Sequence, residues 1–309
     1  MSSPNQKQPL LKKITRGLTV GSVITGSTFF HGPPVLALGL TKLFKKSKKV
    51  DETNIQITNS WLAVNNYLID HVLPNTKWDI SVDDLELSMQ GRYLMTCNHQ
   101  SWVDTTVNQY FGLTRMPLTR FFTKWELIFI PFVGQAFKIL GFPMMKRHSK
   151  EQIAKNPALK TRDMEEARKS CEQLLSQPFT LLNYLEGTRF TPEKHAQQQS
   201  PYQNLLKPKA GGLALALSIL GNDIDALVDM TIVYPDGAPG YSEFWLGEVP
   251  RIAVNLRKID IPAWVLAGNY EDDADFREQF QQWVDQLWTE KDQLIEQMKA
   301  KYSTSNLTE

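Results

Sequence analysis

The fold of this chain turns on the stretch Tyr93-Leu94-Met95-Thr96-Cys97-Asn98-His99-Gln100-Ser101-Trp102-Val103-Asp104. Its first five residues are a short apolar run, the pattern of a buried strand. Asn98 and Ser101 are good N-cap residues, so a helix is predicted to start near Ser101 and run through Tyr110. A histidine and a carboxylate, His99 and Asp104, fall at this strand-to-helix passage. On an ideal helix, residues five apart point about 140° away from each other, so the two cannot meet within a regular helix. They can meet if His99 lies in the turn and Asp104 in the first helical turns. Asp104 then accepts a hydrogen bond from one imidazole nitrogen and holds the other toward a substrate, as a general base requires. Open α/β sheets gather their reactive groups at such strand ends.

Working outward, strands and helices alternate after residue 77, which predicts an α/β fold with a mixed central sheet flanked by helices. Helical spacing of apolar residues marks 55–75, 161–176 and a last helix after Asp272 and Asp273, and 213–220 reads as a small-residue helix. Residues 78–88 read as a strand and a turn. Phe179 to Leu185 is almost unbroken apolar sequence, a strand covered on both faces. Another strand spans Leu227 to Tyr234 and ends in the turn signal Pro235-Asp236-Gly237. Residues 244–256 read as a further hairpin. The basic, apolar segment 115–147 reads as protein core or as the wall of a site for a long apolar ligand.

Charge is unevenly spread. Net charge is +1 over 309 residues, so nothing global implies a nucleic-acid partner. Yet the first 49 residues hold nine Lys or Arg and no Asp or Glu. Within them, the 25 residues from Gly17 to Thr41 carry no charge, a length that could cross a bilayer. The middle of that run is Phe29-Phe30-His31-Gly32-Pro33-Pro34, and two prolines break a helix. Both flanks are basic, and positive charge marks the cytoplasmic side. A membrane-associated helical hairpin dipping into one leaflet satisfies both flanks, with His31 at its tip; a single transmembrane helix is the alternative. This divides the chain into a membrane-associated segment, 1–50, and one α/β domain, 51–309. The two cysteines, Cys97 and Cys171, form neither a disulfide framework nor a metal spacing, which fits a reducing compartment and no metal site.

No Gly-x-Ser-x-Gly elbow occurs, and Ser101 is better read as an N-cap than as a nucleophile. His99 is therefore expected to act on a hydroxyl of the substrate. Glu186-Gly187-Thr188-Arg189 sits at the next strong strand end. Glycine lets backbone approach a ligand, threonine offers a hydroxyl, and arginine makes bidentate contacts to phosphate. Lys207 and Lys209 follow, and Lys124 and Arg147 are candidates to join them in space, so the group reads as an anion site.

Four segments carry a resemblance. Asn98-His99-x4-Asp104, Gly141 to Arg147, Glu186-Gly-Thr-Arg189-Phe190 and Ile232-Val233-Tyr234-Pro235 are similar, in order and spacing, to the four motifs of the glycerolipid acyltransferases. The Glu-Gly-Thr-Arg-Phe-Thr form resembles most the branch that includes a bacterial inner-membrane lysophospholipid acyltransferase. The family implies acyl transfer from acyl-CoA or acyl-carrier protein to a lysophospholipid hydroxyl at a membrane, with no cofactor. By that resemblance His99 is the general base and Asp104 orients it. Glu186, Gly187, Thr188 and Arg189 bind the acceptor, with Lys124 and Arg147 as further phosphate contacts. The second motif departs from the pattern at Pro143-Met144-Met145, which bears on the headgroup. A lipid or thioester hydrolase and a non-catalytic lipid-binding protein are the other functions compatible with these residues.

Overall fold

The computed structural model describes residues 9–42, 44–45, 47–73, 75–83, 85–146, 150–156 and 158–305. The chain begins with α1 (Leu10–Thr41), α2 (Lys48–Val72), β1 (Lys77–Asp83), β2 (Arg92–Cys97) and α3 (Val103–Gly112). Then come β3 (Thr119–Phe121), β4 (Thr123–Lys124), a 3₁₀ turn (Trp125–Phe129), α4 (Val133–Ile139) and β5 (Met144–Met145). Next are α5 (Lys150–Lys155), α6 (Ala158–Leu174), β6 (Phe179–Tyr184), α7 (Pro192–Gln198) and α8 (Gly211–Leu220). The chain closes with β7 (Ala226–Val233), α9 (Tyr241–Trp245), β8 (Arg251–Ile259), α10 (Ala263–Ala267) and α11 (Ala274–Ser305).

Six strands form one mixed sheet in the order β1-β8-β7-β2-β6-β3. β7, β2, β6 and β3 run in one direction, while β8 is antiparallel to β7 and parallel to β1. The two-residue side-chain period sorts the apolar residues onto two faces. Leu94, Leu181 and Leu227 pack with Cys171, Leu213, Leu217, Phe280 and Trp288 of α6, α8 and α11. Met95, Leu182, Val228 and Met230 pack on the other face with Leu68, Val107 and Phe111 of α2 and α3. Helices on both faces explain why β2, β6 and β7 carry nearly continuous apolar runs.

The hairpin expected at 244–256 is instead the short helix α9 followed by β8. β8 finds its partners in β7 and in the distant β1, pairing Lys77 with Arg251, a match that local sequence does not encode.

The hairpin expected within residues 1–50, turning at the prolines, does not form; a single helix, α1, occupies most of that stretch and packs on α2, which runs on to Val72. Pro33 and Pro34 lie inside α1, which is continuous, and the turn falls between α1 and α2. Packing outweighs the lost helical bonds here. Val35 is fully buried with Leu118, Ala136, Leu140 and Phe142. Gly32 and Gly39 meet Phe132 and Ile139 so closely that a Cβ would fall 2.6 and 2.4 Å from them. His31 is buried rather than at a tip. Its Nδ1 lies 2.9 Å from the Ser27 carbonyl and its Nε2 3.2 Å from Ser60 Oγ of α2. Both ends of α1 are tied to the α/β domain. Near the start, Arg16 donates to the Leu246 carbonyl (2.7 Å) and Lys13 pairs with Glu248. At the far end, Lys42 donates to the Ile139 carbonyl (3.0 Å) and pairs with Asp51 of α2.

One buried charge pair locks α11 to the sheet. Asp229 of β7 accepts from Lys291 (2.8 Å), Thr96 (2.6 Å) and Arg257 (3.2 Å). Burial alone would raise the Asp229 pKa; Lys291, Thr96 and Arg257 outweigh it and hold the carboxyl below its ordinary value. Lys291 is itself fully buried and also donates to the Met230 carbonyl (2.7 Å). Lys291→Met strands the carboxylate, so unfolding free energy in urea should fall by about 3–5 kcal/mol. Asp229→Asn in the same chain should restore part of it. Because the folded-state pKa is depressed, the pair's contribution is present above the unfolded carboxylate range and is lost as pH falls through the folded value.

Candidate active site

β2 ends at a side chain that imitates the ladder. Asn98 is fully buried, donates to the Ile232 carbonyl (2.8 Å) and accepts from the Ile232 N–H (2.9 Å). The backbone is thereby free to turn while β7 stays satisfied. Ser101 Oγ accepts from Val103 N–H (3.0 Å) and donates to the Pro239 carbonyl (2.5 Å), so α3 starts at Val103, two residues beyond the expected start.

Asp104 then sits in the first turn of α3, with no exposed surface. Its Oδ2 accepts from His99 Nδ1 (2.9 Å), Gln100 N–H (2.7 Å) and Ser101 N–H (2.9 Å). Its Oδ1 accepts from the Tyr234 hydroxyl (2.7 Å). A carboxylate surrounded by donors assigns the proton to His99 Nδ1 and leaves Nε2 as the basic nitrogen. Burial, then the Asp104 charge, pushes the Tyr234 phenol well above its ordinary value, so it remains a donor. The Tyr184 ring stacks on the imidazole at 4.1 Å and 20°. The His99 side chain keeps 15% of its surface exposed.

The end of β6 supports this pair from the other side. Glu186 is fully buried, and its two oxygens accept from His99 N–H (2.7 Å) and Leu206 N–H (2.9 Å). Both acceptors are thus occupied by backbone, so Glu186 orders the His99 turn and does not face a ligand. Burial pushes its carboxyl up to about 8, opposed by these two donors. Gly187 adopts φ +67°, which favours glycine, and a Cβ there would lie 3.2 Å from Lys209 Nζ. Lys194 Nζ donates to Thr188 Oγ1 (2.9 Å) and to the Arg189 carbonyl (2.9 Å). Phe190 N–H closes the gap by donating to the His99 carbonyl (2.7 Å). The Arg189 guanidinium lies 4.5 Å over the ring of Trp102, which is 57% exposed.

His99, Asp104 and Glu186 to Arg189 therefore come together at the ends of β2 and β6. Lys124 lies exposed on β4, paired in the ribbon with Met145, and none of its described contacts joins it to His99 or Arg189. Arg147 lies outside the described residues. Sequence reasoning missed Tyr184 and Tyr234 as supports, Trp102 as a platform for Arg189, and Lys194 as the brace of the Arg189 turn. The local signals were the closeness of Trp102 to His99 in the chain and the place of Tyr234 in the fourth motif.

The elevated Glu186 pKa has a sign that can be tested. The folded state holds this proton more tightly than the unfolded chain, so stability falls as pH rises from about 4.5 toward 8. Glu186→Gln should remove that component from the pH dependence of unfolding, while losing one backbone hydrogen bond because its amide nitrogen cannot accept.

The sequence profile described as Acyltransferase matches residues 79–235, just over half of the chain. The 2-acyl-1-lysophosphatidylinositol acyltransferase of Saccharomyces cerevisiae is 26% identical, over 71% of this chain and 63% of its own length. A probable 1-acyl-sn-glycerol-3-phosphate acyltransferase of Arabidopsis thaliana is 25% identical, over 86% of this chain and 73% of its own. This chain thus spans 63% of the yeast relative's length. The crystal structure of the 1-acyl-sn-glycerophosphate acyltransferase PlsC from Thermotoga maritima superposes with a TM-score of 0.51 at 15% identity. It covers 91% of this chain and 97% of that one, a likeness of fold. With the family profile covering most of β1 and all of β2, β3, β6 and β7, and with the His99–Asp104 pair inside it, this chain belongs to the glycerolipid acyltransferase family.

Proposed function

We propose that this protein transfers a fatty acyl group from a thioester, acyl-CoA or acyl-carrier protein, to the free hydroxyl of a lysophospholipid. The His99–Asp104 pair carries this reading, and among the described residues no serine or cysteine side chain hydrogen-bonds to the imidazole. His99 Nε2 takes the proton of the acceptor hydroxyl as that oxygen attacks the thioester carbonyl. Asp104 stabilises the imidazolium that forms and keeps the ring in one tautomer. Collapse of the tetrahedral intermediate breaks the carbon–sulfur bond, and the imidazolium returns the proton to the leaving thiolate. The products are a diacyl lipid and a free thiol.

Arg189 suits the acceptor's phosphate. It stands two residues past the positive-φ turn at Gly187, on the same sheet edge as His99, with its guanidinium 4.5 Å over the Trp102 ring. The relatives' names share an acylated glycerol bearing a phosphate ester, and 1-acylglycerol 3-phosphate is the favoured acceptor. We place the protein on the cytoplasmic face of a membrane. α1 is the one described helix long and apolar enough to cross a bilayer. Both its ends bind the same domain, which favours a helix lying in one leaflet over a span.

His99→Ala should lower transfer by about 10² to 10⁴ with folding and vesicle binding intact, read with purified enzyme. Retained activity would remove His99 as the base. Arg189→Ala should raise the acceptor KM about tenfold to a hundredfold with little change in kcat. Trp102→Ala should shift the same constant less, and Trp102→Phe should restore it. A panel of lysolipids assayed with both thioester donors assigns headgroup and donor. Product that forms without a lyso-acceptor would mark a hydrolase instead.

A further inference from the structure

Phe129 and Ile130 stand in water at the end of the 3₁₀ turn, 77% and 44% exposed. Scattered exposed apolar residues are ordinary. This tip is different because its backbone is rigidly built. Val133 N–H donates to the Pro131 carbonyl (2.7 Å) and closes a γ-turn centred on Phe132, at φ 63° and ψ −49°. That turn is rare and strained for a residue with a side chain. Gly134 packs so tightly that a Cβ would fall 2.0 Å from the Leu127 carbonyl, and Gln135 Nε2 donates to the Ile128 carbonyl (2.6 Å). The structure maintains strain to hold two apolar side chains outward.

The tip is continuous with α1. The Phe132 ring meets Phe29 edge-on at 5.3 Å, over the space that Gly32 leaves. Phe29 and Phe30 are 63% and 75% exposed, on a helix with no charged residue from Gly17 to Thr41. Beside the tip, the ammonium groups of Lys138 and Lys146 lie 5.6 and 5.3 Å from the Trp125 ring centre. A tryptophan flanked by lysines suits the depth of lipid headgroups. β3 is parallel to β6 and so to β2, so the segment carrying the tip leaves the sheet at the edge that holds His99 and Arg189.

We propose that Phe129 and Ile130 form a second membrane-insertion tip, which with Phe29 and Phe30 seats the domain on an anionic phospholipid surface. The apolar side chains enter the leaflet while Lys138 and Lys146 meet its phosphates. The function of such a tip rests on the proposed lipid acceptor: it sets the active-site edge against the layer where the acceptor resides.

The test is partitioning of the full chain onto vesicles, by sedimentation. Phosphatidylcholine alone is compared with phosphatidylcholine mixed with phosphatidylglycerol. Phe129→Asp with Ile130→Asp should lower the partition coefficient on mixed vesicles about tenfold or more. Phe129→Leu with Ile130→Leu should leave it unchanged, which separates insertion from local shape. Lys138→Glu with Lys146→Glu should weaken binding to mixed vesicles and spare pure phosphatidylcholine. Turnover of a short-chain, monomeric lysolipid should be unchanged in the aspartate variant, which shows that it folds. Wild-type partitioning in that variant overturns the proposal. So does a change in oligomeric state without loss of vesicle binding, which would make the patch a contact between copies. Weakened vesicle binding alongside a wild-type chain that transfers no acyl group sustains the tip and sinks the acyltransferase reading instead.

Discussion

A buried carboxylate must be surrounded by donors, and Asp104 meets that demand with four. Three come from its own turn, from His99, Gln100 and Ser101, and one from Tyr234 just past β7. An ion without that shell would be expelled or protonated at this depth. The demand dictates geometry. Gln100 and Ser101 must aim their N–H groups inward, which fixes the turn and with it the direction of the imidazole. Tyr234 can reach Asp104 only because β7 lies beside β2 in the sheet.

The opposite side of the turn depends on a second buried carboxyl group. Glu186 ties His99 N–H to Leu206 N–H, and the Leu206 segment is held in turn by α11. Trp288 donates to the Leu206 carbonyl (3.0 Å), and Asp292 accepts from the N–H groups of Gln203 and Asn204, both at 2.8 Å. Lys291, between them in sequence, fastens the same helix to Asp229. A helix at the far end of the chain thus supports the histidine turn through a continuous set of hydrogen bonds. Charge that is fully desolvated contributes little net stability but is costly to leave unpaired, so these ties favour one arrangement over its competitors.

The N-terminal helix extends the domain sideways. Its buried positions, from Arg16 through Val20, Ser27, His31, Val35 and Gly39, form one stripe against the rest of the protein. Among its outward residues are the apolar Leu10, Leu11, Ile14, Leu18, Phe29, Phe30 and Leu40, and the Phe132 ring meets Phe29. The His99 turn follows β2, the Arg189 turn follows β6 and the Phe129–Ile130 tip follows β3, all at the same end of parallel strands.

Much of this was legible in the sequence because it is local. Continuous apolar runs marked β2, β6 and β7, helical spacing marked α6 and α11, and the five-residue separation of His99 and Asp104 demanded a turn at a strand end. The Glu186 to Arg189 segment was legible as a site but not in its parts, since a carboxylate bound to two backbone groups looks, in sequence, like one bound to a ligand. Pro33 and Pro34 argued for a break that packing overrode. Strand β8, the Tyr234–Asp104 bond, the Arg189–Trp102 stack and the Asp229–Lys291 pair were decided only by the tertiary structure. Each joins residues far apart in the chain, and a residue's own pattern records whether it will be buried but not which distant group it will meet there.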